Sequence, residues 1–244
     1  LRWNEALYPK ALQTLDLKLR PALLFYKGNL KLLERSMLAI PPAPMETVTT
    51  LLLQETLSQV LGDTSLLAAL RGSTQATILL GELADSEGDA LLFVRQGLGT
   101  IEITGEEQRL LNDGRLLLLS PLNPAAPANA KWESALFQVE MAAAEHILWV
   151  SHESPDIPIN KLPILWLTPD PASATPMPGY RITDEPGDVP LWLLENTSLP
   201  AMPDTTDLME VSSVLPPLPP TEALRILERG GAIPEALRRR LLER

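Results

Sequence analysis

The sequence predicts an α/β protein with a Rossmann-like, mostly parallel sheet and helices on both faces. Three short apolar runs, at residues 90–94, 115–120 and 146–151, are typical of strands buried on both sides of a sheet. Helical segments at 106–112 and 132–144 separate these runs. Strands that alternate with helices favour parallel pairing through crossover helices, and this alternation is the main reason for the prediction.

Upstream of these runs the pattern predicts four more elements. Residues 37–40 form the first strand of the sheet. Apolar residues between positions 45 and 61 recur at a spacing near 3.6 and predict an amphipathic helix. After it we expect a short helix over 65–71 and a buried strand over 76–80.

The N-terminal segment has weaker signals. We expect a short helix or turn over 4–15, a brief strand over 23–26 and a helical turn over 30–35. Between the last two, residues 27–29 predict a turn with Lys27 at its corner.

Beyond residue 151 prolines are frequent, and we expect strands only at 162–167 and 190–194. The last residues predict a helical pair in which Gly230 and Gly231 end the first helix. The predicted organisation has four parts: an N-terminal extension packing on the core (1–36), a Rossmann-like domain (37–195), a Pro-rich linker (196–220) and the C-terminal helical pair (221–244).

Composition excludes some functions. The 244 residues contain no cysteine, so disulfides, thiol catalysis and thiolate metal sites are ruled out. Nucleic-acid affinity comes mainly from neutralised phosphates, so the net charge of −11 disfavours a broad DNA-binding surface but permits a local basic groove. The first residues lack the apolar core of a signal peptide, and no run reaches the ~20 apolar residues of a membrane span. We therefore expect a cytoplasmic protein that does not bind membranes.

Gly97 and Gly99 follow a buried strand, which is where a backbone loop can approach a phosphate. A complete G-x-G-x-x-G pattern would require a glycine at Glu102, and a carboxylate there would repel a phosphate. The alternative is that these glycines only make a tight turn. No G-x-x-x-x-G-K-[ST] sequence is present, so a Walker-type NTPase is excluded.

Catalytic constellations are not recognisable. His146 and His152 are the only histidines, and they flank a strand six residues apart, whereas a catalytic zinc needs three protein ligands. No serine lies in a G-x-S-x-G sequence. We therefore predict no catalytic residues, no cofactor and no metal, and a protein that is not an enzyme.

Basic residues near aromatic ones are sparse. Lys131 and Trp132 precede a predicted helix, where a lysine and a helix N-terminus could hold an anion and the indole could stack on a base. Arg238, Arg239 and Arg240 could contact phosphates from the last helix. The alternatives are a solvated lysine beside a core tryptophan, and a solvated helix face.

Five segments carry a family resemblance. Residues 8–12 (YPKAL) and 21–30 (PALLFYKGNL) are similar to the phrases YP-x-x-L and P-x-x-L-x-x-x-G-[DN]-L. Residues 93–101 (FVRQGLGTI) resemble V-L-G-x-G-L-D-x-I, and 113–121 (DGRLLLLSP) resemble G-x-L-L-S-E-x-P. Residues 132–151 have the spacing of an FP-x-RN helix followed by a strand. In this order the segments resemble the DNA-processing protein A (DprA/Smf) family.

The resemblance implies a Rossmann-like domain that binds single-stranded DNA and helps to load a recombinase during natural transformation. The anion-binding phrases of the family differ here. Its G-S-R turn is Pro41-Pro42-Ala43, its S-G-x-A-x-G-I-D loop is not found after Leu80, and its Arg-Asn pair falls on Leu136 and Phe137. We therefore expect a non-catalytic, divergent member with degenerate phosphate-binding motifs. Its expected partners are single-stranded DNA and a recombinase, and a homodimer is a further assembly to test.

Two other functions stay open. The acidic charge and the proline-rich stretch are also compatible with a nucleotide-sensing or protein-interaction module on the same scaffold. A phosphoribohydrolase of the related lysine-decarboxylase-like group would carry P-G-G-x-G-T-x-x-E, which this chain lacks. If single strands are bound, the expected nucleic-acid or anion contacts are Lys27, Gly97, Gly99, Lys131, Trp132, Arg238, Arg239 and Arg240.

Overall fold

A computed structural model of the chain describes residues 1–2, 4–13, 15, 20–62, 65–129, 133–155, 157, 163–175 and 179–196. The strands in this part are β1 (Phe25–Gly28), β2 (Met37–Ile40), β3 (Leu66–Leu70), β4 (Ala90–Phe93), β5 (Leu116–Ser120), β6 (His146–Val150), β7 (Ile164–Leu167) and β8 (Tyr180–Thr183). The helices are α1 (Lys10–Gln13), α2 (Thr47–Val60), α3 (Thr74–Ala84), α4 (Gly105–Asn112), α5 (Glu133–Ala143) and α6 (Asp188–Asn196), with a 3₁₀ helix at Leu30–Glu34.

The described strands form one sheet in the order β1-β5-β4-β3-β2-β6-β7-β8. All neighbours are parallel except β1, which pairs antiparallel with β5. The predicted α/β, Rossmann-like fold is thus confirmed, and the predicted elements between residues 90 and 151 are correct to within one residue.

Alternating strand residues face two separate cores, as expected for a sheet covered on both sides. One core packs β-strand residues such as Leu67 and Leu118 against α2, α3, α4 and α6. The other packs residues such as Leu66 and Leu117 against the N-terminal segment, α1 and α5. The chain crosses from the first side of the sheet to the second through α5, which joins β5 to β6.

The order of helix and strand between residues 65 and 84 is the reverse of the prediction. β3 occupies the predicted short helix at 65–71, and α3 covers the predicted strand at 76–80. Both stretches are short and apolar, so periodicity alone does not separate them. The Ser73 side chain accepts a hydrogen bond from the Ala76 N–H and caps α3, while β3 pairs with β2 and β4. Pairing inside the sheet overrides the helix propensity of the Leu and Ala residues in β3.

Two further predictions in the C-terminal half of the described chain are wrong. The expected strand at 190–194 is helix α6, which tolerates Pro190 because a proline in the first turn breaks no helical hydrogen bond. Strand β8 was not predicted, although it extends the sheet beyond β7. The expected strand at 162–167 is confirmed at Ile164–Leu167, which form β7.

The predicted turn at 27–29 is also wrong, because β1 extends to Gly28 and Lys27 therefore lies within a strand. Phe25 pairs with Ser120 and Gly28 with Leu117. Gly28 has a φ of +113°, and a Cβ atom there would lie 2.2 Å from the Leu116 carbonyl oxygen. Only glycine fits this approach of two backbones.

The described residues all belong to one compact unit, Leu1–Thr197. The predicted linker at 196–220 and helical pair at 221–244 lie outside the described residues, apart from Asn196, so the four-part organisation stays a prediction. No helix in the described part of the chain is long and apolar enough to cross a membrane.

Candidate functional site

The fold points to the carboxyl ends of the parallel strands as the place for a site. In open α/β sheets ligands bind where the strand order reverses, which here lies between β2 and β6. The turn after β2 has the sequence Pro41-Pro42-Ala43-Pro44. Proline has no N–H, so this turn lacks most of the backbone donors that hold a phosphate at such positions. The Ala43 carbonyl accepts a hydrogen bond of 2.8 Å from Gln75 Nε2.

Arg71 directly follows β3 and is bound to a carboxylate of α4. Its Nε and Nη2 donate to Glu107 at 2.5 and 2.9 Å, and Nη2 also donates to the Glu102 carbonyl oxygen. The Glu107 side chain is only 2% exposed. Burial raises the pKa of Glu107, but hydrogen bonds from Arg71 and Thr104 outweigh burial and hold it below its ordinary value. The carboxylate therefore stays ionised and neutralises Arg71.

Arg95 lies just beyond the end of β4 and makes a second pair of the same kind. Its Nε and Nη2 donate to the Glu140 carboxylate of α5 at 2.8 and 2.7 Å. The guanidinium also lies 5.9 Å from the centre of the Phe137 ring. Burial raises the pKa of Glu140 despite the opposing effect of Arg95. A phosphate at this edge of the sheet would have to displace a bidentate carboxylate from either arginine.

The loop with Gly97 and Gly99 packs against the loop that follows β5. The Gly97 N–H donates to the Ala126 carbonyl at 2.7 Å, and the Gly99 N–H donates to the Pro124 carbonyl at 2.9 Å. A Cβ atom on Gly97 would lie 2.3 Å from the carbonyl oxygens of Asn123 and Pro124. Both amides thus have acceptors within the protein, and the close approach of the loops is a physical reason for glycine. The anion-binding role stays a prediction.

The two histidines lie apart and have different environments. His146 is buried and its ring meets Trp192 edge-on at 5.5 Å, with Nδ1 lacking a hydrogen-bond partner. His152 follows β6 and its Nε2 lies 3.1 Å from the Glu46 carboxylate. Among the described residues no group of three or more His, Asp or Glu side chains is arranged to hold a metal ion.

A polar cavity of about 370 Å³ lies beside the carboxyl ends of β6 and β7. Its lining includes His152, Trp166, Thr168, Asp170 and Ser173. Trp166 is fixed by a 2.8 Å hydrogen bond from its Nε1 to the Ser151 carbonyl. Hydroxyl groups, one carboxylate and one imidazole surround this space, a combination suited to a small hydroxylated molecule.

Among the predicted contacts, Lys27 is exposed on β1 at the edge of the sheet, away from the reversal point. Lys131, Trp132, Arg238, Arg239 and Arg240 lie outside the described residues. Of the predicted contacts within the described residues, only Gly97 and Gly99 come together, since they share one loop.

Arg71 and Arg95 were not singled out from the sequence. The signal for Arg95 was available, because it follows a correctly predicted buried strand. The signal for Arg71 was hidden by the wrong assignment of β3.

No protein-family model and no curated protein matches this sequence. Two solved structures have a similar fold. The crystal structure of DNA processing protein A (DprA) from Streptococcus pneumoniae aligns with 78% of this chain and 72% of its own, with a TM-score of 0.60 and 13% identity. DNA processing protein A from Helicobacter pylori, a protein with a described single-stranded DNA binding mode, aligns with 77% of this chain and 93% of its own, with a TM-score of 0.58 and 12% identity. The chain therefore has a DprA-like fold.

Proposed function

We propose that this chain is a DprA-like DNA-processing protein that binds single-stranded DNA and does not catalyse a reaction. The observation that carries the proposal is the shared fold. It covers 77% of this chain and 93% of a structural neighbour that binds single-stranded DNA. The phrases at residues 8–12 and 21–30 that resemble this family are independent support, because they are features of the sequence and not of the fold.

The environments of the candidate catalytic groups favour binding over chemistry. His146 is buried against Trp192, and His152 is paired with Glu46. The two buried carboxylates beside the strand ends, Glu107 and Glu140, both hold arginines. Glu107, Glu140 and His152 thus have charged partners, and His146 packs against an aromatic ring, which supports a role for these groups in structure.

The proposal extends to the recombination step of natural transformation in the cytoplasm, with a recombinase and a second copy of the chain as partners. In this proposal the phosphate-binding motifs at the reversal point are degenerate. The proline turn at 41–44 and the neutralised Arg71 and Arg95 support that part of the proposal. Co-migration with a purified recombinase and sedimentation of the chain alone test the two partners separately.

Fluorescence anisotropy with labelled oligo-dT tests the binding directly. We expect binding at about 50 mM salt that weakens steeply by about 200 mM, because counterion release accounts for most of the affinity. Failure to bind at tens of micromolar protein, even at the lower salt, would reject the proposal.

The predicted contacts outside the described residues can be tested in the same assay. Replacing Arg238, Arg239 and Arg240 by alanine is expected to weaken binding and to lower its salt dependence. The matched control replaces Arg109, Lys161 and Arg181, which lie outside residues 1–36 in the sequence and change the net charge by the same amount. A separate Trp132→Ala variant is expected to weaken binding through lost stacking.

A nucleotide-sensing function is the second candidate, and the polar cavity beside β6 and β7 favours it. A bound mononucleotide could place its ribose hydroxyls against Asp170 and Thr168. Thermal-shift measurements with mononucleotides would support sensing if they stabilise the wild type and fail to stabilise Asp170→Asn. Stabilisation without any response to oligo-dT would favour sensing over DNA binding.

A further inference from the structure

Charge is distributed unevenly along the chain. Residues 1–36 contain seven Lys or Arg and three Asp or Glu, whereas residues 37–220 contain seven Lys or Arg and 24 Asp or Glu. The N-terminal segment therefore has a net charge of +4 in a protein whose net charge is −11. A polyanion is attracted to such a segment and repelled by most of the remaining surface.

This segment supplies β1, the terminal strand on one side of the sheet. Tyr26 lies opposite Leu119, and Lys27 lies opposite Leu118. Since neighbouring strand residues point to opposite faces, the ring and the ammonium group flank the outer edge of β1 from its two sides. Tyr26 is 45% exposed, and Lys27 is exposed as well.

Lys31 adds a second cation close to this edge. Gly28, whose φ is +113°, ends β1, and the 3₁₀ helix that contains Lys31 begins two residues later. The Lys31 backbone is fixed by a hydrogen bond to the Asn29 side chain, while its own side chain is exposed. Among the described residues, neither Lys27 nor Lys31 has a carboxylate partner.

Several other cationic side chains among the described residues already have ion-pair or hydrogen-bond partners within the protein. Arg71 and Arg95 are held by buried carboxylates, and Arg35 pairs with Asp89. Arg115 donates to the carbonyl groups of residues 83, 86 and 88. The lysines beside β1 are free to meet a ligand without breaking a contact.

We propose that single-stranded DNA lies along the outer edge of β1, with one base stacked on Tyr26 and with phosphates held by Lys27 and Lys31. This inference rests on the proposed function and assigns it a surface outside the carboxyl ends of the strands. An exposed aromatic ring combined with cations is the arrangement that proteins use to bind single strands without sequence preference.

An exposed lysine on an edge strand also has a structural explanation, because it discourages pairing with the edge of another molecule. That explanation accounts for Lys27 but gives no role to the exposed ring of Tyr26. The two explanations differ in what they predict for DNA binding, so the same variants separate them.

The test compares oligo-dT affinity of the full chain and its variants by fluorescence anisotropy. Tyr26→Ala is expected to weaken binding about 5- to 150-fold, the range that corresponds to the loss of one stacked base. Tyr26→Phe keeps the ring and is expected to bind like the wild type. Replacing Lys27 and Lys31 together by alanine is expected to lower the salt slope by about 1.4, since each phosphate contact to a single strand contributes about 0.7.

The matched control replaces Arg109 and Arg181 by alanine. Both are exposed, Arg181 lies on the opposite edge strand β8, and the change in net charge is the same. Circular dichroism checks that each variant is folded. If the wild type binds but the lysine pair behaves like this control, or if Tyr26→Ala binds as tightly as the wild type, the β1 surface is wrong and the proposed function survives. If the wild type does not bind, both fail.

Discussion

Positively charged side chains are paired with carboxylates at the carboxyl ends of the strands, whereas those at the outer edge of β1 are exposed and have no carboxylate partner among the described residues. At the strand ends, Arg71 and Arg95 are each held by two hydrogen bonds to a buried carboxylate. At the edge of β1, Lys27 and Lys31 extend into solvent. In the first region the arginines join helices to the sheet, and in the second the lysines can bind an anion without losing a carboxylate partner.

This difference shows that the position of a cation in a fold does not by itself define a binding site. The strand ends are where an α/β sheet normally binds ligands. Here the groups that could hold phosphate already have partners, and the turn after β2 is rich in proline. Charge that is available, rather than charge that is present, decides where a polyanion can bind.

The largest expected effect comes from breaking one of the buried pairs. Arg95→Met leaves the Glu140 carboxylate buried without a partner, which is expected to lower the free energy of unfolding by about 3 kcal/mol. Urea denaturation measures this change. Arg181→Met, which removes an exposed pair with Glu195, is the control and is expected to cost less than about 1 kcal/mol. Equal effects of the two substitutions would show that Arg95 has no special structural role.

Gly97→Ala tests whether this glycine serves packing or anion binding. A Cβ atom would lie 2.3 Å from two backbone carbonyl oxygens, so we expect a loss of about 1–3 kcal/mol in urea denaturation. Gly81→Ala is the control, because nothing lies near the added atom in helix α3, and alanine there is expected to stabilise by about 0.5–1 kcal/mol. A Gly97→Ala protein that keeps its stability but loses oligo-dT binding would favour the anion-binding role.

Removing the carboxylate that pairs with an arginine at the strand ends is expected to have a smaller effect than the two substitutions above. Glu107→Gln removes the charge that neutralises Arg71, and we expect oligo-dT affinity to rise about threefold through the added local attraction. Glu106→Gln makes the same change in net charge at an exposed neighbour. If both variants bind equally well, neutralisation of Arg71 is not what keeps nucleic acid from this region.

The smallest expected effect is a difference in pH dependence between the two carboxylates. The pKa of Glu107 is lowered on folding, so its stabilising contribution is present above the ordinary value near 4.5 and is lost as the pH falls through the lower folded value. The pKa of Glu140 is raised, so its contribution is present below the ordinary value and is lost as the pH rises through the folded one.

Urea denaturation across pH 3–7 in the Glu107→Gln and Glu140→Gln variants measures these contributions. The first substitution should make unfolding less sensitive to acid, and the second should make it more sensitive. If the free energy of unfolding depended on pH in the same way in both variants, the opposite pKa shifts would be contradicted.

Much of the fold could be predicted because buried parallel strands leave a local signal. The unbroken apolar runs of β4, β5 and β6, with helices between them, identify the strands without any knowledge of their neighbours. The same signal failed between residues 65 and 84, where two apolar stretches of similar length lie side by side in the sequence. Only the pairing of β3 with β2 and β4 decides which of them is the strand.

The candidate site was less predictable. Lys27 was identified, but its place on an edge strand was not, because the sequence favoured a turn there. The sequence predicts a strand over 23–26 that includes Tyr26, but it assigns no role to the ring. A role for the ring can be inferred only when it is known which side of β1 is unpaired.

The sequence by itself determined the α/β class and the acidic character of the chain, because composition and local periodicity contain that information. The resemblance to the DprA family rests on short phrases such as those at residues 8–12 and 21–30. The tertiary structure decided which cations are available. Arg71 and Glu107 are 36 residues apart, and Arg95 and Glu140 are 45 apart. The order of the strands in the sheet brings such pairs together, and no local pattern in the chain specifies that order.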